Sequence, residues 1–137
     1  VVACQPQDDD RALMGELSAE TLQFRGVRGY IVDGGCRDVS FIKALGFPVF
    51  CRFTTPRDIV AAWTLEAYNV PIQIGEVTIH PGDYILGDQD GIVILPGTQA
   101  EAIVNRVEVV VQTENLVRKA ILEGMPPKEA YLQYRKF

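Results

Sequence analysis

The sequence predicts an α/β fold that opens as a parallel sheet and continues into β-hairpins and a long C-terminal helix. Three observations carry this. Apolar, β-branched runs alternate with helical patterns between Val1 and Cys51, in the order strand, helix, strand, helix, strand. Two consecutive βαβ units of that kind give a parallel sheet with right-handed crossovers. After Asn69 the apolar runs shorten and are separated by turn residues, and from Thr98 they lengthen to helical spacing.

In chain order, Val1 to Cys4 is a β-branched run and reads as a strand. Gln5 to Arg11 is polar, and its acidic triple Asp8-Asp9-Asp10 reads as a solvated loop, because adjacent carboxylates reach one ion only when a turn folds them together. Gly15 marks a break. A helix is expected from Glu16 to Arg25, stopped by Gly26 in the left-handed conformation. Tyr30 to Val32 is a buried strand expected to end at a Gly34-Gly35 turn. Val39 to Leu45 is a short helix with Phe41, Ile42 and Leu45 on its apolar side, closed by Gly46. Phe47 to Cys51 is the next buried strand.

Arg52 to Tyr68 is mixed and contains the Thr54-Thr55-Pro56 turn signal. Strands are expected at Val70 to Ile74, Val77 to Ile79, Tyr84 to Leu86 and Ile92 to Leu95. The turn Asp88-Gln89-Asp90-Gly91 is too short for a calcium loop and lacks its later glutamate, so it reads as a hairpin turn. His80 is the only histidine and is assigned no role. Ile103, Val107, Val110, Val111, Val117 and Ile121 place a helix over Thr98 to Glu123. The run Val109 to Val111 is wide for one buried stripe and points to a second contact surface. A short helix follows Pro126-Pro127 through Leu132, with Tyr131, Tyr134 and Phe137 as aromatic anchors of the tail.

The chemistry concentrates after the second strand. An adjacent Arg37 and Asp38 combine a fixed cation for a carboxylate with a hard oxygen ligand for a divalent metal. The carboxyl end of a parallel strand is where α/β folds present such groups. The N–H groups from Gly15 to Ser18 would lie at a helix N-terminus, which binds anions. Glu16 also fits as a favourable first-turn acid.

The 137 residues suffice for one domain with a core, and 47% of them are hydrophobic and 23% charged. A net charge of -5 argues against a nucleic-acid backbone binder. No stretch approaches the roughly eighteen apolar residues of a membrane span. Cys4, Cys36 and Cys51 are odd in number and lack CxxC spacing, which fits reduced thiols in a cytoplasm.

The stretch Gly29-Tyr30-Ile31-Val32-Asp33-Gly34-Gly35-Cys36-Arg37-Asp38 resembles the signature strand and turn of the RraA-like family. That family includes the 4-hydroxy-4-methyl-2-oxoglutarate aldolases and the regulator of ribonuclease E activity. Gly15-Glu16-Leu17-Ser18-Ala19, Gly46-Phe47-Pro48-Val49-Phe50, and Pro81-Gly82-Asp83-Tyr84-Ile85 with Asp88 to Ile94 resemble it in the same order. The aldolase branch carries an acid, then twenty residues, then Arg-Asp. Glu16 and Arg37-Asp38 keep that spacing, with Glu in place of the commoner Asp.

The resemblance implies a swivelling β/β/α-type single domain over residues 1–137, lacking the family's N-terminal segment. It further implies a trimeric or hexameric homo-oligomer with its site between subunits. It implies a class II type lyase acting on a 2-oxo acid. Asp38 would bind Mg²⁺ or Mn²⁺. Arg37 would hold the pyruvyl end and stabilise the enolate, and Gly15, Glu16, Leu17 and Ser18 would cradle the carboxylate. Glu16 would orient or deprotonate water at the metal. Glu114 resembles an acid supplied by a neighbouring subunit. Oxaloacetate decarboxylation would accompany the aldolase activity. The alternative is a non-catalytic regulator resembling the ribonuclease E inhibitor.

Overall fold

The computed structural model describes residues 1–135. The chain divides into two compact units, residues 1–81 and the remainder from Gly82. The aromatic anchor expected at Phe137 lies outside the described residues.

The first unit is built around one strand. Its elements are β1 (Val2–Cys4), β2 (Ala12–Met14), α1 (Glu16–Phe24), β3 (Tyr30–Cys36), α2 (Val39–Leu45), β4 (Val49–Thr54), β5 (Ile72–Ile74) and β6 (Val77–Ile79). β3 pairs in parallel with three partners. β1 runs along its first half, Val2 opposite Tyr30 and Cys4 opposite Val32. β2 takes its end, with Ala12 opposite Gly35 and Met14 opposite Cys36. β4 accompanies its whole length, from Tyr30–Val49 to Cys36–Thr54. The parallel sheet expected from the strand–helix alternation is therefore present, and β5 and β6 form a separate antiparallel pair.

Three local expectations are corrected. Gly34 and Gly35 do not turn the chain; both lie inside β3. They are small because their neighbours come close. A Cβ on Gly35 would sit 2.6 Å from the Arg11 carbonyl oxygen and 2.7 Å from the Phe53 ring, and one on Gly34 would sit 2.8 Å from Pro6. Glycine inside a strand marks such an approach as readily as a bend. The reversal comes three residues later, at Asp38, which adopts the left-handed conformation with φ 56°. The second correction is β2, a strand too short at three residues to show periodicity. The first βαβ unit is accordingly β2–α1–β3 rather than β1–α1–β3. β4 also starts later than expected, at Val49, with Phe47 in the core instead of the ladder.

Met14, Ala19, Tyr30, Val32, Cys36, Ile42 and Phe47 form the core, with Leu22 and Leu45 packed against it. The helices α1 and α2 thus cover the face to which β3 turns its even-numbered side chains. Each fully buried large apolar side chain contributes about 1.5–3 kcal/mol. Gly26 and Gly46 end the two helices at φ 81° and φ 70°, where a side chain would be strained.

The second unit holds β7 (Tyr84–Gly87), β8 (Ile92–Leu95), α3 (Ala100–Leu122) and α4 (Pro127–Tyr134). β7 and β8 are an antiparallel hairpin. In its turn the Asp88 carboxylate accepts the N–H groups of Asp90 at 2.8 Å and Gly91 at 3.2 Å, so this acid closes a turn. α3 and α4 meet through Val117, Ala120 and Ala130, with Ile121 and Tyr134 alongside. Tyr134 is thus a tail anchor as expected. Val107, Val109 and Val111 are about half exposed on α3. No helix among the described residues is long and apolar enough to cross a membrane.

Candidate active site

The ends of β2 and β3 bring Gly15, Glu16, Arg37 and Asp38 together. The Arg37 N–H donates to the Met14 carbonyl at 2.8 Å, which ties the residue after β3 to the residue before the α1 cap. The left-handed turn at Asp38 then swings its carboxylate back over the first turn of α1. Its Oδ2 accepts the Glu16 N–H at 3.1 Å and lies 3.5 Å from Arg37 Nε. Asp is one of the few residues that tolerate this backbone conformation. The helix start therefore binds an anion, and that anion is Asp38 itself, so the Glu16 N–H is not open to a substrate carboxylate. The N–H groups of Leu17 and Ser18 have no acceptor among the described residues.

Gly15 is extended, with φ -141°, so its backbone alone does not require glycine. Space does. A Cβ there would lie 2.8 Å from Asp38 Oδ2 and 2.9 Å from Arg37 Nε.

The structure adds a residue that the sequence reading did not single out. Asp58, in the segment after β4, accepts from Arg37 Nη1 at 2.5 Å with Oδ2 and from the Val60 N–H at 2.7 Å with Oδ1. The Val60 N–H first, and then the Arg37 guanidinium, hold its carboxyl below the usual carboxylate value. Its only sequence signal is position: Thr54-Thr55-Pro56 turns the chain at the carboxyl end of a parallel strand, the edge where Arg37 and Asp38 already stand.

Other expected groups fall elsewhere. The acidic triple forms a loop of separate ion pairs: Asp8 with Arg11 at 2.9 Å, Asp9 with Arg52 at 2.8 Å, and Asp10 with Arg57. Glu114 belongs to the second unit, midway along α3, 3.8 Å from Arg118. Cys36 is buried, and burial pushes its thiol up to about 11.

No group of three or more His, Cys, Asp or Glu among the described residues could enclose a metal ion. Asp38 offers something narrower, a partly exposed carboxylate whose Oδ1 has no partner among the described residues. That donor set fits Mg²⁺ or Mn²⁺, which can be held by one or two carboxylates with water and substrate completing the shell.

The family model described as Aldolase/RraA, RraA-like, matches residues 1–94. The chain belongs to the RraA-like family. A provisionally named 4-hydroxy-4-methyl-2-oxoglutarate aldolase of Halalkalibacterium halodurans is 36% identical over 128 residues, which cover 92% of this chain and 60% of that protein. An uncharacterised protein of Pseudomonas syringae pv. tomato superposes with a TM-score of 0.92 at 28% identity, over 97% of this chain and 63% of that one. A Streptomyces coelicolor protein described as an unusual member of the RNase ES inhibitor RraA family superposes at 0.78 and 30% identity, over 86% of this chain and 61% of that one. The chain thus spans about three fifths of the length of these relatives. The RraA-like resemblance of the Gly29–Asp38 strand is confirmed, and with it the fold.

Proposed function

We propose that this RraA-like chain carries the site of a divalent-metal-dependent carbon–carbon lyase of the class II aldolase type. Its substrates would be 4-hydroxy-2-oxo acids, cleaved to pyruvate, and oxaloacetate, decarboxylated to pyruvate. The observation that supports this reading is the convergence of Arg37, Asp38 and the first turn of α1 at the end of β3.

Asp38 would hold Mg²⁺ or Mn²⁺, which when bound supplies a Lewis acid for the 2-oxo oxygen. Arg37 binds the pyruvyl carboxylate and stabilises the negative charge that grows on the neighbouring oxygen. The N–H groups of Leu17 and Ser18 supply further donors to that anion, beside Gly15. When the C3–C4 bond breaks, its electron pair becomes the C2–C3 double bond of the pyruvate enolate. The C4 hydroxyl becomes a carbonyl and gives up its proton to Glu16, directly or through one water. Returning a proton to C3 yields pyruvate. Oxaloacetate loses CO₂ by the same electron flow and needs no base for the leaving group. Glu114 would enter as an acid from a neighbouring copy in a homo-oligomer, a trimer or hexamer.

Incubation with 4-hydroxy-4-methyl-2-oxoglutarate, with pyruvate followed through lactate dehydrogenase, tests this. Arg37→Ala should cost about 10²–10³ in turnover. Turnover that survives Arg37→Ala would contradict the assignment.

The likeness to the Streptomyces coelicolor protein favours a second reading, a ribonuclease regulator that needs no lyase chemistry. Asp38→Ala separates the two: a regulator keeps its inhibition of the nuclease, and a lyase loses turnover.

A further inference from the structure

We infer that Asp58 is a positioning residue for Arg37, setting which edge of the guanidinium meets the substrate carboxylate; this deepens the lyase reading and rests on it. Arg37 is gripped on two sides. Its Nε faces Asp38 Oδ2 at 3.5 Å and its Nη1 donates to Asp58 Oδ2 at 2.5 Å. Among the described residues nothing engages Nη2, so that nitrogen is the donor left for an incoming anion.

Asp58 is itself fixed. Its other oxygen accepts the Val60 N–H, and its backbone forms a parallel bridge to Ala12, whose N–H donates to the Arg57 carbonyl at 2.9 Å. The same short strand β2 receives the Arg37 N–H through Met14. Arg37 and its guide are thus referenced to one piece of backbone. An arginine side chain alone has many rotamers, and a group that removes this freedom lowers the cost of binding.

A plain surface ion pair is the competing explanation. Both side chains are partly exposed, at 37% and 43%, and such pairs add little to stability. Asp58 variants should therefore fold, which separates a role in binding from a role in the scaffold.

The test uses oxalate, a planar mimic of the pyruvate enolate, titrated calorimetrically into the chain with Mg²⁺, together with oxaloacetate kinetics. Asp58→Asn and Asp58→Ser each keep an acceptor for the Val60 N–H and lose the charge. Each should raise the oxalate Kd and the oxaloacetate KM roughly 10- to 100-fold, with a smaller change in kcat. In an Arg37→Lys background the same substitutions should add little, because the two residues act as a unit. Wild-type affinity in both variants would overturn the inference while leaving the lyase reading intact. Loss of folding in both would overturn it too, by making Asp58 structural. A wild-type chain that neither binds oxalate nor releases pyruvate would remove the lyase reading and this inference together.

Discussion

The backbone N–H of Glu16 donates to Oδ2 of Asp38 at 3.1 Å, across twenty-two positions of sequence. This bond joins the start of α1 to the left-handed residue before α2, and it leaves room for no side chain at Gly15 between them. Gly15→Ala would press on Asp38 Oδ2 and on Arg37 at Nε and Cγ, side chains of the site rather than backbone of the sheet. The expected outcome is a thermal midpoint close to wild type and a fall in oxaloacetate turnover of about 10²-fold, the cost of displacing reacting groups by about an ångström. Thermal melts and steady-state rates on the same preparation check this.

Gly35→Ala should behave in the opposite way. Its new Cβ would meet the Arg11 carbonyl and the Phe53 ring inside the sheet. Backbone cannot step aside cheaply, so a loss of about 1–3 kcal/mol is expected from overpacking. The midpoint of urea unfolding measures it.

These two glycines show what was legible in the sequence. The Gly-Gly signal at residues 34 and 35 was visible, but its meaning was not. A glycine that turns the chain and a glycine that admits a neighbour look alike until the neighbours, Arg11 and Phe53, are placed. The parallel sheet and both hairpin pairs were readable because their runs are apolar, β-branched and separated by turn residues. β2 was hidden by its length of three residues. Arg37 and Asp38 stood out because they follow a buried strand directly. Asp58 was silent because it reaches the site only through the path of the chain after β4 and the bridge to Ala12.

Acid stability should follow from Asp8 and Asp58. Asp8 is held below its ordinary value of 3.8 by the N–H groups of Asp10 and Arg11, and Asp58 by the Val60 N–H and Arg37. In each case the unfolded chain binds a proton at a pH where the folded chain does not. Their stabilisation is therefore present above about pH 4 and is lost as pH falls through the lowered folded values. Unfolding free energies of wild type and Asp8→Asn between pH 6 and pH 2 should converge at the acid end. Curves that stay parallel would contradict the assignment.

Cys36 should be chemically quiet. It is 2% exposed, and burial holds its thiol protonated up to about 11. A thiol reagent at pH 8 should label Cys36 only as fast as the chain opens. Rapid labelling of Cys36 in the native state, seen by peptide mapping, would contradict its place in the core.

The most direct test of the site at Arg37 and Asp38 is pyruvate release from oxaloacetate, coupled to lactate dehydrogenase. It should be run with Mg²⁺, with EDTA, and with Asp38→Ala. The expected result is turnover that needs the metal and is lost in Asp38→Ala. Turnover indifferent to EDTA and to Asp38→Ala, or none in the folded wild-type chain with Mg²⁺ or Mn²⁺, would contradict it.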